Sequence, residues 1–106
     1  MNKTFLIKKN NIEIGKISVS IYDDINAVGF GSFEIYPEFQ NKHFGTNALK
    51  QIINRFSNYD LVYCFVDKCN SKAIHIYNKL GTLIDYGDKI MCIFIDKKGE
   101  YRSPRA

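Results

Sequence analysis

A short polar segment joins a strand-like run, Val28 to Tyr36, to a helix-like run, Asn47 to Phe56. It reads Pro37-Glu38-Phe39-Gln40-Asn41-Lys42-His43-Phe44-Gly45-Thr46-Asn47-Ala48-Leu49. A strand that turns directly into a helix start is suited to holding an anion. The first helical amides lack intrahelical partners, and the helix dipole is positive there. Gly45 has no Cβ to keep a ligand away from the backbone. Together these features describe a phosphate or pyrophosphate cradle built largely from main chain.

A second block, Asn70-Ser71-Lys72-Ala73-Ile74-His75-Ile76-Tyr77-Asn78-Lys79-Leu80-Gly81, follows at a fitting separation. The pair resembles the GCN5-related N-acetyltransferases (GNAT family). That family carries Gln/Arg-x-x-Gly-x-Gly/Ala after a strand ending in hydrophobic-x-Pro, and later Asn-x-x-Ala-hydrophobic-x-hydrophobic-Tyr-x-Lys-x-Gly. Gln40, Gly45 and the Ile35-Tyr36-Pro37 lead-in match, as does the second block. His43 stands at the first glycine position, and Thr82 stands where Phe is usual. The resemblance runs from about Thr4 to Asp96.

The resemblance implies acetyl-CoA as acetyl donor and transfer of the acetyl group to an amine within a ternary complex. Such transfer needs a neutral amine, a polarised carbonyl, close approach and a proton for the departing thiolate. Backbone amides of Lys42, His43, Phe44, Gly45 and Thr46 would hold the pyrophosphate, next to Gln40. His43 either contacts phosphate through its ring or points into solvent. The backbone of Phe33 and Ile35 would pair with the pantetheine arm as an added strand. Asn70 would orient that arm, or else only cap the following helix. Tyr77 is the candidate general acid, because a phenol with a pKa near ~10 keeps its proton at neutral pH. By spacing alone Tyr77 is a core aromatic on a helix face. Glu34 alternates out of phase with Phe33 and Ile35, so it faces the acceptor side and is the candidate general base.

These residues need a frame. At 106 residues with 45% apolar composition, eight Phe and seven Tyr, the chain suits one domain with one core. No segment reaches the ~18 to 20 apolar residues of a membrane span. The start, Met-Asn-Lys-Thr-Phe-Leu-Ile-Lys-Lys, has too short an apolar run for a signal peptide, so a cytoplasmic location is expected. Cys64, Cys69 and Cys92 are too irregular for a disulfide framework and lack the His partners of a zinc site, so no metal is expected. The net charge of +4 favours an acidic ligand.

The periodicities give an α+β fold, three-layer-like, with a mixed, mostly antiparallel sheet in the order β-β-β-α-β-α-β-β. Strands are expected at Thr4–Lys9, Ile12–Tyr22 and Ala27–Tyr36, with Asn10-Asn11 and Asp23–Asn26 as turns. A phase change at Gly15-Lys16 suggests a bulge. A helix is expected at Asn47–Ser57, and Leu61–Val66 reads as a central strand covered on both faces. Ser71 caps a second helix ending at Gly81, and Leu83–Tyr86 and Ile90–Asp96 form a hairpin about Gly87-Asp88. Residues 1–96 form the domain and residues 97–106 a basic tail.

Against the resembled family, one strand and two helices are absent ahead of the first hairpin. This leaves the acceptor side open. It favours a macromolecular acceptor, such as a lysine of a protein, or a homodimer. A non-catalytic acyl-CoA-binding module, or a subunit completed by a partner, is the second reading. A basic nucleic-acid binder stacking bases on Tyr22, Phe30 and Tyr36 is the third; it lacks any RNA-binding signature.

Overall fold

A computed structural model describes residues 1–40 and 42–99. The last residues of the expected basic tail, and Asn41, lie outside the described residues. Six strands, β1 (Asn2–Lys9), β2 (Ile12–Tyr22), β3 (Ala27–Ile35), β4 (Leu61–Asp67), β5 (Thr82–Tyr86) and β6 (Lys89–Asp96), form one sheet in the order β1-β2-β3-β4-β6-β5. All neighbours are antiparallel except β3 and β4. Helix α1 (Phe44–Arg55) connects those two, and α2 (Ser71–Leu80) connects β4 to β5. The expected order and sheet type are therefore found.

Local chemistry sets the turns. Asn10 and Asn11 both take positive φ (52° and 66°), as a two-residue hairpin turn requires, and Gly87 does so at 83°. Ile7 pairs with Gly15 and Lys8 with Glu13, so the expected bulge in β2 falls at Ile14. Both Ile14 and Ile17 are buried as a result, one on each side of the phase change.

One sheet face carries Ile17, Val19, Val28, Phe30, Val62, Cys64, Val66 and Cys92, and this face meets Leu49 and Phe56 of α1 and Tyr77 of α2 in one core. The opposite face has no helix over it among the described residues. Along β4, Val62, Cys64 and Val66 are buried, whereas Phe65 is 45% exposed. Covering on both faces, expected from the apolar run, is thus corrected: the run alternates between a helical face and an open face.

β3 and β4 pair only from Ala27↔Leu61 to Phe30↔Cys64. Beyond that point the strands separate, and the cause is local to β3. Ile17 pairs with Phe33 but Val19 with Phe30, so Ser18 faces two residues, Gly31 and Ser32. This is a β-bulge, which bends the strand that carries it. The Ser32 N–H donates to Ser18 Oγ at 2.8 Å and fixes the bulge. A Cβ on Gly31 would lie 2.4 Å from the same oxygen, so only glycine fits there without a shift. The sequence gives no alternation signal for this bulge, because Gly31 and Ser32 are both small.

Candidate active site

The separation opens a cleft of about 930 Å³ between the ends of β3 and β4, bounded by the start of α1 and one side of α2. Glu34, Phe33, Ile35, Gln40, His43, Phe44, Gly45, Thr46, Asn70 and Tyr77 all line it, so these sequence-derived candidates converge. Lys42 is exposed and is not among the residues lining the cleft. His43 is the N-cap, so Lys42 lies before the helix and outside its row of amides.

The β3 end is held on the β2 side. The Tyr36 N–H donates to the Ile14 carbonyl at 2.9 Å, and the Tyr36 hydroxyl donates to Glu13 Oε2. That bond to a carboxylate raises the Tyr36 pKa to about 12. Because Ser32 and Tyr36 direct their N–H groups toward β2, strand alternation turns the main-chain groups of Phe33 and Ile35 toward the gap. Gln40 Nε2 donates to the Ile35 carbonyl at 2.9 Å. Gln40 therefore braces the loop against the strand, leaving the Phe33 groups and the Ile35 N–H facing the cleft.

Helix α1 begins three residues earlier than its periodicity indicates. Its N-cap, His43, sits in the left-handed region (φ 62°, ψ 13°) and makes no side-chain cap hydrogen bond. Histidine tolerates that conformation better than a β-branched residue does. The Asn47 N–H donates to the His43 carbonyl at 3.3 Å. The amides of Phe44, Gly45 and Thr46 precede that bond and remain directed out of the helix. A Cβ on Gly45 would meet Ile35, Ile76 and Phe33 only at 3.6–4.0 Å. The protein itself therefore has room for a side chain there, and the space left is part of the cleft.

Helix α2 begins differently. Its N-cap is Asn70, not Ser71, and Asn70 Oδ1 accepts from the Ala73 N–H at 3.2 Å. The capping role expected as the alternative for Asn70 is filled, and Asn70 also lines the cleft. Two turns on, Tyr77 is buried, with its ring edge-on to Phe94 at 5.9 Å. Burial pushes its phenol pKa well above the ordinary value, with Cys64 and Cys92 adding to the shift. No side chain among the described residues takes its hydroxyl.

Glu34 lies on the open face at the cleft edge, exposed and in register with Lys16. Residues not singled out from sequence also line the cleft. Lys72, His75 and Lys79 recur on one side of α2, a basic stripe visible in the sequence at helical spacing. His75 is exposed and borders the cleft. Phe65, Asp67 and Lys89 line its open-face mouth, where Lys89 Nζ pairs with Asp67 at 2.5 Å. The cleft therefore opens on both faces of the sheet. Cys64 and Cys92 are free, buried and opposite each other, and Cys69 is free and exposed, outside the cleft lining. No helix among the described residues is long and apolar enough to cross a membrane.

Residues 2–82 match the Acetyltransferase (GNAT) family. A spermidine N(1)-acetyltransferase of Escherichia coli (strain K12) is 40% identical over 104 residues, covering 95% of this chain and 54% of that protein. The chain thus spans about half the length of the curated relatives it matches. Among solved structures, a chimera of the Vibrio cholerae spermidine N-acetyltransferase and hSSAT superposes with a TM-score of 0.75 at 19% identity, over 91% of this chain and 69% of that one. A GNAT family acetyltransferase from Elizabethkingia anophelis with acetyl-CoA bound gives 0.73 at 18% identity, over 89% and 76%. At these identities the structural matches establish the fold.

Proposed function

The chain belongs to the GNAT acetyltransferase family, and from that premise we propose that it transfers an acetyl group from acetyl-CoA to an amine. The observation that carries this reading is the two-faced cleft. On its helical side lie the open start of α1 and Tyr77; on its other side lie Glu34 and the open sheet face. A donor and an acceptor can enter from opposite sides and meet between β3 and β4, which direct transfer requires.

The residues fit the donor. The Phe44, Gly45 and Thr46 amides suit a pyrophosphate, and Lys72 and Lys79 add positive charge on the facing helix, with the His75 ring between them in sequence. The unpaired groups of Phe33 and Ile35 suit an extended amide-bearing arm, oriented from the other wall by the Asn70 side-chain N–H₂. Acetyl-CoA supplies an activated acetyl thioester. Tyr77 keeps its proton at its hydroxyl oxygen well past neutral pH and delivers it to the leaving sulfur. Glu34, on the acceptor face, takes a proton from the incoming amine. The relatives' names make spermidine the first acceptor to test, ahead of a protein lysine.

The test is thermal unfolding with acetyl-CoA, free coenzyme A or ATP, followed by an acetyl-transfer assay on spermidine. A ligand at ~100 times its Kd stabilises by about 2.7 kcal/mol. Stabilisation by acetyl-CoA but not ATP, with acetylated product, supports the proposal. No stabilisation at saturation overturns it for this chain. Stabilisation without turnover of any amine leaves the non-catalytic acyl-CoA-binding module as the better reading.

A further inference from the structure

The open sheet face carries three aromatic rings that the transfer chemistry does not use. Phe65 and Tyr86 are 45% and 58% exposed, an unusual state for rings that normally contribute buried area. They stand on β4 and β5, on either side of β6, with the buried Met91 of β6 paired to Phe65. Their centroids are 5.4 Å apart and their planes are at 68°. Tyr63 meets Phe65 from the other side at 5.8 Å and 79°. The contact is edge-to-face, so the edge of one ring meets the face of the other, and the exposure of both rings leaves aromatic surface open beside this corner.

Two further observations point to what fits there. Phe65 is also a wall of the cleft, so the corner continues the acceptor-side mouth and is not an isolated patch. The neighbouring cation, Lys89, is held by Asp67 at 2.5 Å and stays charged because of that bond, so its charge is compensated at the corner. What remains is open aromatic surface beside an apolar floor. Such a surface favours a cation carried on an alkyl chain and gives an anion little to bind.

We propose that Phe65 and Tyr86, buttressed by Tyr63, hold a second cationic centre of the acceptor, which makes the substrate a linear diamine or polyamine and Phe65 and Tyr86 its specificity residues. The inference rests on the acetyl-transfer reading above. One ammonium would sit over the rings while the other nitrogen, as the free amine, enters the cleft toward Glu34 and Tyr77.

The experiment compares spermidine with n-butylamine as acceptors for the wild type, Phe65→Leu and Tyr86→Leu. Leucine keeps apolar bulk but removes the π face; unfolding temperature and acetyl-CoA binding check each variant. The expected result is a lower KM for spermidine than for butylamine in the wild type. Each variant should raise the spermidine KM about ten-fold more than it raises the butylamine KM. Equal KM values for the two amines in the wild type, or variants that raise both alike, overturn the inference. So does a concentration-dependent dimer that Phe65→Leu dissolves, since the rings would then serve a second copy of the chain. If acetyl-CoA binds but no amine turns over, calorimetry with spermidine decides: binding lost in Phe65→Leu supports the corner, and absent binding overturns it. Failure of acetyl-CoA to bind is a separate result, and it overturns the reading beneath.

Discussion

The two helices that border the cleft start in contrasting ways. At α2 the Asn70 side chain closes the first turn by accepting from Ala73. At α1 the cap is a left-handed His43 that offers no side-chain bond, and the amides behind it have no intrahelical partner. A closed start fixes a helix firmly, and α2 presents Tyr77 two turns later. An open start leaves donors for something else, and α1 borders the place where the proposed donor's phosphates would sit. The difference separates a helix whose job is to aim a side chain from one whose job is to lend its backbone.

The sharpest way to break this division is Tyr77→Phe. If α2 serves chemistry, kcat falls by about 10²- to 10⁴-fold with acetyl-CoA affinity unchanged. A parallel loss of affinity would put Tyr77 on the binding side instead. The pH profile adds a sign. A raised phenol pKa keeps the acid protonated, so the alkaline limb of kcat should fall above the ordinary phenol value of ~10, not at it. The same shift favours the folded state below pH ~10 and is lost as pH rises through the folded pKa, and Phe at this position removes that dependence.

At the other helix, His43→Val places a β-branched residue at φ 62° and should cost about 2 kcal/mol by urea unfolding. An unchanged midpoint would mean the α1 start relaxes freely. Gly45→Ala is the complementary probe. Its Cβ clears the protein by 3.6 Å, so the unfolding temperature should hold while acetyl-CoA binds about ten-fold more weakly. Unaltered binding would remove Gly45 from the cradle. The smallest effect is expected at the closed start. Asn70→Ala should cost about 1 kcal/mol, and Asn70→Asp should restore stability because the cap oxygen is kept. Affinity that stays weak in Asn70→Asp identifies the lost N–H₂ donor as a ligand contact; full recovery leaves Asn70 a cap alone.

Much of this was legible in the sequence because it is local. Paired asparagines specify the first hairpin, helical spacing places Leu49 and Tyr77 toward the core, and the family motifs gather Gln40, Gly45, Asn70 and Tyr77 around one cleft. What escaped was set by pairing or by unusual backbone. His43 is not a residue that announces a helix start, so periodicity places the start of α1 at Asn47 and the structure places it at Phe44. The bulge at Gly31 and Ser32 depends on Ser18 of the neighbouring strand, a contact no local pattern encodes. Phe65 lies in an apolar run whose alternation is masked, since its buried neighbours are just as hydrophobic. Its exposure becomes visible only once both helices are seen to pack on one face.

The bulge has a consequence for the chain when no ligand is bound. Sheets ordinarily have two rims, and this one has a slit as well, with main-chain groups of Phe33 and Ile35 left facing it. An extended molecule lying in the slit would act as a missing rung between the strands. Slow amide hydrogen exchange along both lips in the presence of donor, and fast exchange without it, would then make donor supply a determinant of how long the folded chain survives.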